Sequence, residues 1–256
     1  MGTNSQKRIS VCIAAYHPND YLLTELESIM PQLSDCDEVI ISEDYSIESH
    51  VYESVKRKWG GVKILYNKHE HKNPWQRWGG DIKGCAVTQN FLNALQHASG
   101  KYIFLADQDD VWASDRIKEV LQCLKRHEGT LVVCNASLID GEGETIEQSI
   151  HYKNPLNSKF PIVNCLKKPP FIGCALAFDR SLLNFCLPFP KKLNTHDTWI
   201  TLCAVLKRKI VIIEKPLHLY RIHSNNVSGN MKNSILFKLV YRLYLLKEIL
   251  WKILLK

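Results

Sequence analysis

The sequence contains no G-x-x-x-x-G-K-[ST] run, which excludes the lysine-bearing phosphate loop of P-loop enzymes. Its one glycine-rich patch, Gly79, Gly80 and Gly84, does not join a strand directly to a helix, so a dinucleotide cradle is not expected either. There are nine cysteines, an odd number, with no C-x-x-C pair and no regular spacing, so no disulfide framework organises the chain. Cys12, Cys85, Cys134, Cys174 and Cys203 lie in apolar runs, where cysteine behaves as a small hydrophobe, and a reducing compartment is the expected setting. The first ten residues hold no apolar core of signal-peptide length. Internal repeats and low-complexity linkers are also missing.

What is present is ordinary in bulk: 45% hydrophobic and 23% charged residues over 256 positions, enough for one large domain with appendages. The net charge of +7 is unevenly placed. Residues 231–256 carry six Lys/Arg and one Glu, or +5, which leaves +2 for the rest. The basic excess belongs to the tail, and no nucleic-acid partner is expected.

Along the chain, apolar runs at residues 9–14, 38–42, 62–66, 102–106 and 131–135 are predicted strands. Between them, apolar residues recur at helical spacing: Leu22, Leu26, Ile29 and Leu33 after a cap at Asn19 or Asp20, then Val51, Val55 and Trp59. Val87, Phe91, Ala94, Leu95 and Ala98 mark a helix from Cys85, and Ile117, Val120, Leu121 and Leu124 one capped by Ser114. Alternating strands and helices over about 135 residues imply βαβ units and a mostly parallel sheet flanked by helices. Residues 68–84, rich in His and Trp, are too irregular for a regular element; Trp75 and Trp78 either stack on a sugar or pin the segment. Further strands are predicted at 174–178 and 210–213, and a helix at 197–206.

The stretch KYIFLADQDDVW, residues 101–112, organises the rest. A buried parallel strand ends there on Asp107, Asp109 and Asp110, and ligands of open α/β sheets bind beyond the carboxyl ends of strands. In an extended chain residues i and i+2 point the same way, placing Asp107 and Asp109 on one side. Paired hard oxygen ligands suit Mg²⁺ or Mn²⁺ bridging to phosphates. The competing reading is a strand end that caps the following helix.

The ordered set IAAYH, SEDYS, QN after a glycine, ADQDDVW, FIGCALAF, HD and YRIHSNN resembles family 2 glycosyltransferases of the GT-A fold across residues 8–229. The resemblance implies an inverting, metal-dependent transfer of a hexose from a nucleotide-sugar. UDP-galactose or UDP-glucose is favoured as donor and dTDP-rhamnose is next. The acceptor it implies is a lipid-diphosphate-linked saccharide of O-antigen or capsule assembly, at the cytoplasmic face of the plasma membrane. By position, Ala15, Tyr16, Asp44, Asp107, Gln108 and Gly173 would bind the nucleotide-sugar, Asp109 and His223 the Mn²⁺ or Mg²⁺, and Asp197 would be the catalytic base. Asp197 is also well placed as a helix N-cap, and His223 as a plain loop residue. Two departures stand out: Tyr45 replaces the usual glycine of D-D-G-S, and Thr88-Gln89-Asn90 replaces A-R-N. The rival enzyme reading takes Asp107 as the nucleophile of an aspartyl phosphohydrolase; the rival non-enzyme reading is a membrane-surface scaffold built on the tail.

In that tail, residues 231–256, Lys238, Arg242, Glu248, Lys252 and Lys256 project along one stripe of a helix, Lys247 lies opposite, and apolar residues cover the remainder. A charge every four to six residues argues against a spanning helix. The pattern predicts a separable amphipathic helix lying in the bilayer interface with its basic stripe at anionic headgroups, or else a helix packed on the protein's own core or a second subunit.

Overall fold

The computed structural model describes residues 8–44, 50–67, 73–224, 226 and 232–254, the side chain of Asp44 excepted. The first half follows the predicted alternation: β1 (Ile9–Ala15), α1 (Asp20–Ile29), β2 (Glu38–Asp44), α2 (His50–Lys58), β3 (Lys63–Asn67), α3 (Ile82–His97) and β4 (Tyr102–Ala106). These strands lie in the order β3-β2-β1-β4, all parallel. Every residue of β4 is buried, the condition under which a strand is continuously apolar rather than alternating. Gly100 lets β4 start against β1, because a Cβ there would meet Ser10 N at 2.6 Å. Asn19 caps α1 by accepting from Tyr21 N (3.0 Å), and Leu22, Leu26 and Ile29 are buried one turn apart.

The second half continues with β5 (Val111–Trp112), α4 (Arg116–Arg126), β6 (Leu131–Ile139), β7 (Thr145–Glu147), α5 (Pro161–Lys167), β8 (Leu176–Asp179), α6 (Arg180–Cys186), α7 (His196–Lys207), β9 (Ile210–Arg221) and α8 (Ile235–Leu254). The sheet extends as β4-β8-β6-β9-β5, with β8 antiparallel to both neighbours, β6 and β9 parallel, and β7 on β6. β6 and β9 therefore run in the same sense as β4, and their carboxyl ends share its edge.

Several boundaries differ from the sequence-based expectations. α3 begins a turn before Cys85, capped by Asp81. α4 starts after Asp115 rather than Ser114, and Asp115 pairs with Lys215 instead of capping. Gly173–Ala175 is a 3-10 turn, so the strand predicted from Cys174 begins at Leu176. The largest difference is β9, which runs on from Ile213 to Arg221. Its register against β6 shifts around Asn135, opposite Pro216, and this bulge absorbs the polar Glu214-Lys215 that hides the strand in the sequence.

The tail helix α8 is docked, not separate. Phe237, Tyr241, Leu245 and Ile249 are buried, and Trp75 meets the rings of Phe237, Tyr241 and Tyr244 edge-on. Trp75 thus pins its segment to the tail. Two cations of the stripe turn to the protein, Arg242 donating to Leu166 O and Lys167 O at the end of α5 and Lys252 to Leu187 O after α6, while Lys238 is exposed and Lys256 lies outside the described residues. Orphan carbonyls at helix C-termini take these cations, and α8 turns outward a run of leucines with Lys247 among them.

Candidate active site

The residues after β4 bend rather than extend, and three carboxylates converge in the bend. Atoms of Asp107, Asp109 and Asp110 lie within 4.8 Å of one another. The two-residue alternation of a strand is therefore not what brings Asp107 and Asp109 together. Asp110, which the sequence leaves without a role, is fully buried beneath the other two.

Asp110 is held from β9. Its Oδ2 pairs with His218 Nε2 (2.9 Å) and its Oδ1 accepts from Arg221 N (2.8 Å). Arg116, also fully buried, places Nη1 2.6 Å from His218 Nδ1 and donates through Nη2 to Cys174 O. Arginine only donates, so His218 Nδ1 accepts and Nε2–H donates to Asp110. Burial lowers the His218 pKa against the pull of Asp110, which fits the neutral tautomer. Both ring nitrogens are committed and a cation adjoins them. The buried group Asp110, Cys174 and His218 is consequently a structural network and a poor metal site, although its ligand atoms are close enough for one.

Asp109 faces outward. Its Oδ2 lies 2.8 Å from His223 Nε2, while Arg221 Nε donates to the Asp109 carbonyl (2.8 Å). Arg221 also donates to Asp140 O and Gly141 O, and its guanidinium lies 4.5 Å from the Tyr21 ring. One side chain thereby ties the acidic bend to the turn after β6 and to α1. Burial first, then the Asp110 charge, pushes the Asp109 carboxyl up to about 6 against the stabilising His223. Asp107 is raised well above the usual carboxylate range by burial, Asp110 and Asp109. From α1, Glu25 adds a fourth acid, fully buried with no hydrogen-bond partner on either oxygen, and raised by burial and Asp110.

The carboxyl ends of β1 and β2 form the adjoining wall. Gln108 Oε1 accepts from Tyr16 N (2.8 Å) and Gln108 Nε2 donates to Tyr16 O (2.9 Å), clasping β1 to the acidic bend. Asn90 donates to the carbonyl of buried Ala15 (2.8 Å) and accepts from Ser42 Oγ (2.6 Å), joining the ends of β1 and β2. The Tyr16 ring is exposed on this wall. Asp44 closes β2; its side chain, and all of Tyr45, lie outside the described residues.

The opposite wall is the start of α7. Gly173 packs on it, since a Cβ at Gly173 would sit 2.6 Å from His196 Nε2 and 3.8 Å from Asp197 Cβ. His196 is buried, stacked on Phe91 at 4.1 Å, with Nε2 unpartnered. The N-cap of α7 is Thr195, so Asp197 lies inside the first turn rather than at the N-cap position. Asp197 Oδ1 accepts from Thr198 N (2.6 Å) and Thr198 Oγ1 (3.3 Å), and no described residue hydrogen-bonds Oδ2. The Asp197 charge is felt by Asp107 across the Gly173–Cys174 turn.

Of the residues named from sequence, Asp107, Gln108, Asp109, His223 and Gly173 thus meet around one acidic bend, Ala15 and Tyr16 adjoin it, and Asp197 looks on from the far side. His218, Arg116 and Arg221 were missed, and Asp110 was named only as one of the acids ending the strand. The signal for His218 and Arg221 was the alternation Leu217-His218-Leu219-Tyr220-Arg221, obscured by Pro216 before it. Burial and the Asp110 charge raise both Asp107 and Asp109, and hard carboxylate oxygens gathered beside the His223 imidazole suit Mg²⁺ or Mn²⁺. The basic groups at the bend are His218, His223 and arginines. The lysine that a phosphohydrolase nucleophile loop would require is not among the described partners.

Known proteins share this architecture. Residues 85–186 match the family model described as Glycosyl transferase family 2. The chain is 23% identical to the putative teichuronic acid biosynthesis glycosyltransferase TuaG of Bacillus subtilis, covering 96% of this chain and 93% of the relative. It is also 23% identical to WfgD of Escherichia coli, a UDP-Glc:alpha-D-GlcNAc-diphosphoundecaprenol beta-1,3-glucosyltransferase, over 87% of this chain and 80% of the relative. The crystal structure of S. aureus TarS 1-349 in complex with UDP-GlcNAc superposes with a TM-score of 0.66 at 17% identity. That match covers 96% of this chain, which spans 66% of the solved TarS chain.

Proposed function

We propose that the chain is a family 2 glycosyltransferase of the GT-A fold that transfers a hexose with inversion from a UDP-sugar to a lipid-diphosphate-linked saccharide of cell-surface polysaccharide assembly. The observation that carries this reading is the placement of Asp197, with Oδ2 uncommitted, across the Gly173–Cys174 turn from the acidic bend. UDP-glucose is the first donor to test, because WfgD uses it by name and TarS is solved with a UDP-sugar; UDP-galactose and dTDP-rhamnose follow.

Inversion needs a base opposite the leaving diphosphate. Asp197 Oδ2 would accept the proton of the acceptor hydroxyl as its oxygen bonds to the anomeric carbon and the bond to the diphosphate breaks. Asp107 and Asp109, with His223 beside them, would hold the divalent cation, which supplies charge neutralisation of the leaving diphosphate. Tyr16 would face the uracil and Gln108 would fix its backbone. Asp44 is assigned to the base or ribose on the resemblance alone. Association with the inner face of the plasma membrane would come from the outward leucines of α8, since among the described residues no helix is long and apolar enough to cross a membrane.

The test is a panel of sugar nucleotides with Mn²⁺ and a short-chain diphosphate-linked acceptor, run on wild type and Asp197→Asn. We expect donor affinity to survive in the variant while turnover falls about 10²-fold or more, the scale for losing a general base. Near-normal turnover would remove Asp197 from the chemistry. A wild type that consumes no sugar nucleotide would sink the transferase reading as a whole.

A further inference from the structure

We infer that Tyr241, on the tail helix α8, is a positioning residue for Asp197, so that the tail is a working part of the active site. The inference rests on the reading of Asp197 as the base. Tyr241 is buried, and its hydroxyl is the meeting point of the segment leading into α7. It accepts from Asn194 N (2.9 Å) and Thr195 N (3.1 Å) and shares a hydrogen bond with Thr195 Oγ1 (3.1 Å). Thr195 is the N-cap of α7, yet its hydroxyl caps nothing in the helix. An N-cap threonine normally turns its oxygen onto the N–H of the second or third helical residue. Here that oxygen points to the tail, and Asp197 and Thr88 take up helix amides instead, from Thr198 N and His196 N.

The position of the first turn of α7 is therefore set by α8. Two further bonds hold the same segment one step back: Lys192 N donates to Tyr244 Oη (3.1 Å) and Trp75 Nε1 to Lys192 O (2.9 Å). Tyr241 acts two residues from Asp197, while Tyr244 acts five residues away. A small displacement of a base is enough to cost an order of magnitude or more in rate.

Tyr241→Phe keeps the ring between Trp75 and Phe237 and deletes only the hydroxyl. In the full chain, we expect amide exchange at Asn194 and Thr195 to rise about tenfold or more, and Tyr244→Phe to leave these two amides unchanged. With UDP-glucose and an undecaprenyl-diphosphate-linked GlcNAc, turnover of Tyr241→Phe should drop about tenfold at unchanged donor KM. Placed on Asp197→Asn, the same substitution should cost less than about twofold, because the group it positions is already gone. Equal fractional loss in both backgrounds would mark a merely structural tyrosine and overturn the inference, as would wild-type exchange and turnover in Tyr241→Phe. Full activity of Asp197→Asn alone would overturn the base assignment and this inference with it. If wild type transfers no sugar, the transferase reading fails, and unchanged exchange in Tyr241→Phe would still refute the tyrosine's hold on the segment.

Discussion

Asp109 is placed where ionisation is costly. Its pKa rises from 3.8 to about 6, first through burial and then through Asp110, with His223 offsetting part of the shift. The folded protein thus holds this proton more tightly than the unfolded chain, so metal-free stability is lost as pH rises from about 4 through about 6. A divalent cation competes for the same oxygens and needs them deprotonated, so its affinity should climb across that window. Asp109→Asn should therefore raise the melting temperature in chelator at pH 7.5 by several degrees while abolishing the Mn²⁺-dependent binding of UDP. Calorimetry showing the variant binding UDP and Mn²⁺ as tightly as wild type would remove Asp109 from the metal site. An unchanged pH dependence of melting would remove it from the stability argument.

At the scale of elements, α1 and the 3-10 turn Met30–Gln32 after it lay a polar stripe along the acidic bend and β5: Tyr21 under Arg221, Glu25 beneath the carboxylates, Ser28 Oγ accepting from Trp112 N (2.9 Å), and Gln32 donating to Ala113 O (3.0 Å). Glu25 alone has no partner there. Replacing a buried unsatisfied polar group by an apolar one of similar size is neutral to stabilising. Glu25→Leu should raise stability at pH 8 by about 1 kcal/mol or more, read as a melting temperature several degrees higher. A drop of that size would mean the carboxyl does have a use in the fold. The apolar side of this stripe, Leu22, Leu26 and Ile29, was legible in the sequence because helical periodicity records burial; its polar side was not, because a partner 80 residues away leaves no local trace. The same contrast holds across the site. β4 and its acids were readable as an apolar run with an abrupt charged end. The partners of Asp110, His218 and Arg116, were not, since their pairing depends on β9 continuing past a bulge at Pro216 that reads as a turn. Asp197 was found by resemblance, and only the geometry separates it from the N-cap at Thr195.

For the whole molecule, the tail helix has an inner face and an outer face with different consequences. Its inner face is core, with Phe237 and Tyr241 against Trp75, so deleting residues 231–256 would remove the support of the segment leading into α7 rather than only release a tether. The outer face carries Leu236, Leu239, Leu243, Leu246 and Leu250, with Leu243 67% exposed, so the two functions can be tested apart. A leucine ridge of this length costs hydration that an apolar phase would relieve, at about 25 cal/mol per Å² removed from water. With Arg242 and Lys252 occupied by carbonyls of the protein, Lys238 and Lys247 are the exposed cations among the described residues of α8, so salt should weaken binding to anionic vesicles only modestly. The triple variant Leu239→Glu, Leu243→Glu, Leu250→Glu changes only this face. It should keep the melting temperature within a few degrees and shift the protein from vesicle-bound to free in flotation on phosphatidylglycerol–phosphatidylethanolamine vesicles. Turnover of a short-chain acceptor should stay near wild type, because Tyr241 remains docked. If wild type does not float with the vesicles but sediments as a dimer that the triple variant breaks, the ridge is a seam between two copies, and the membrane reading fails.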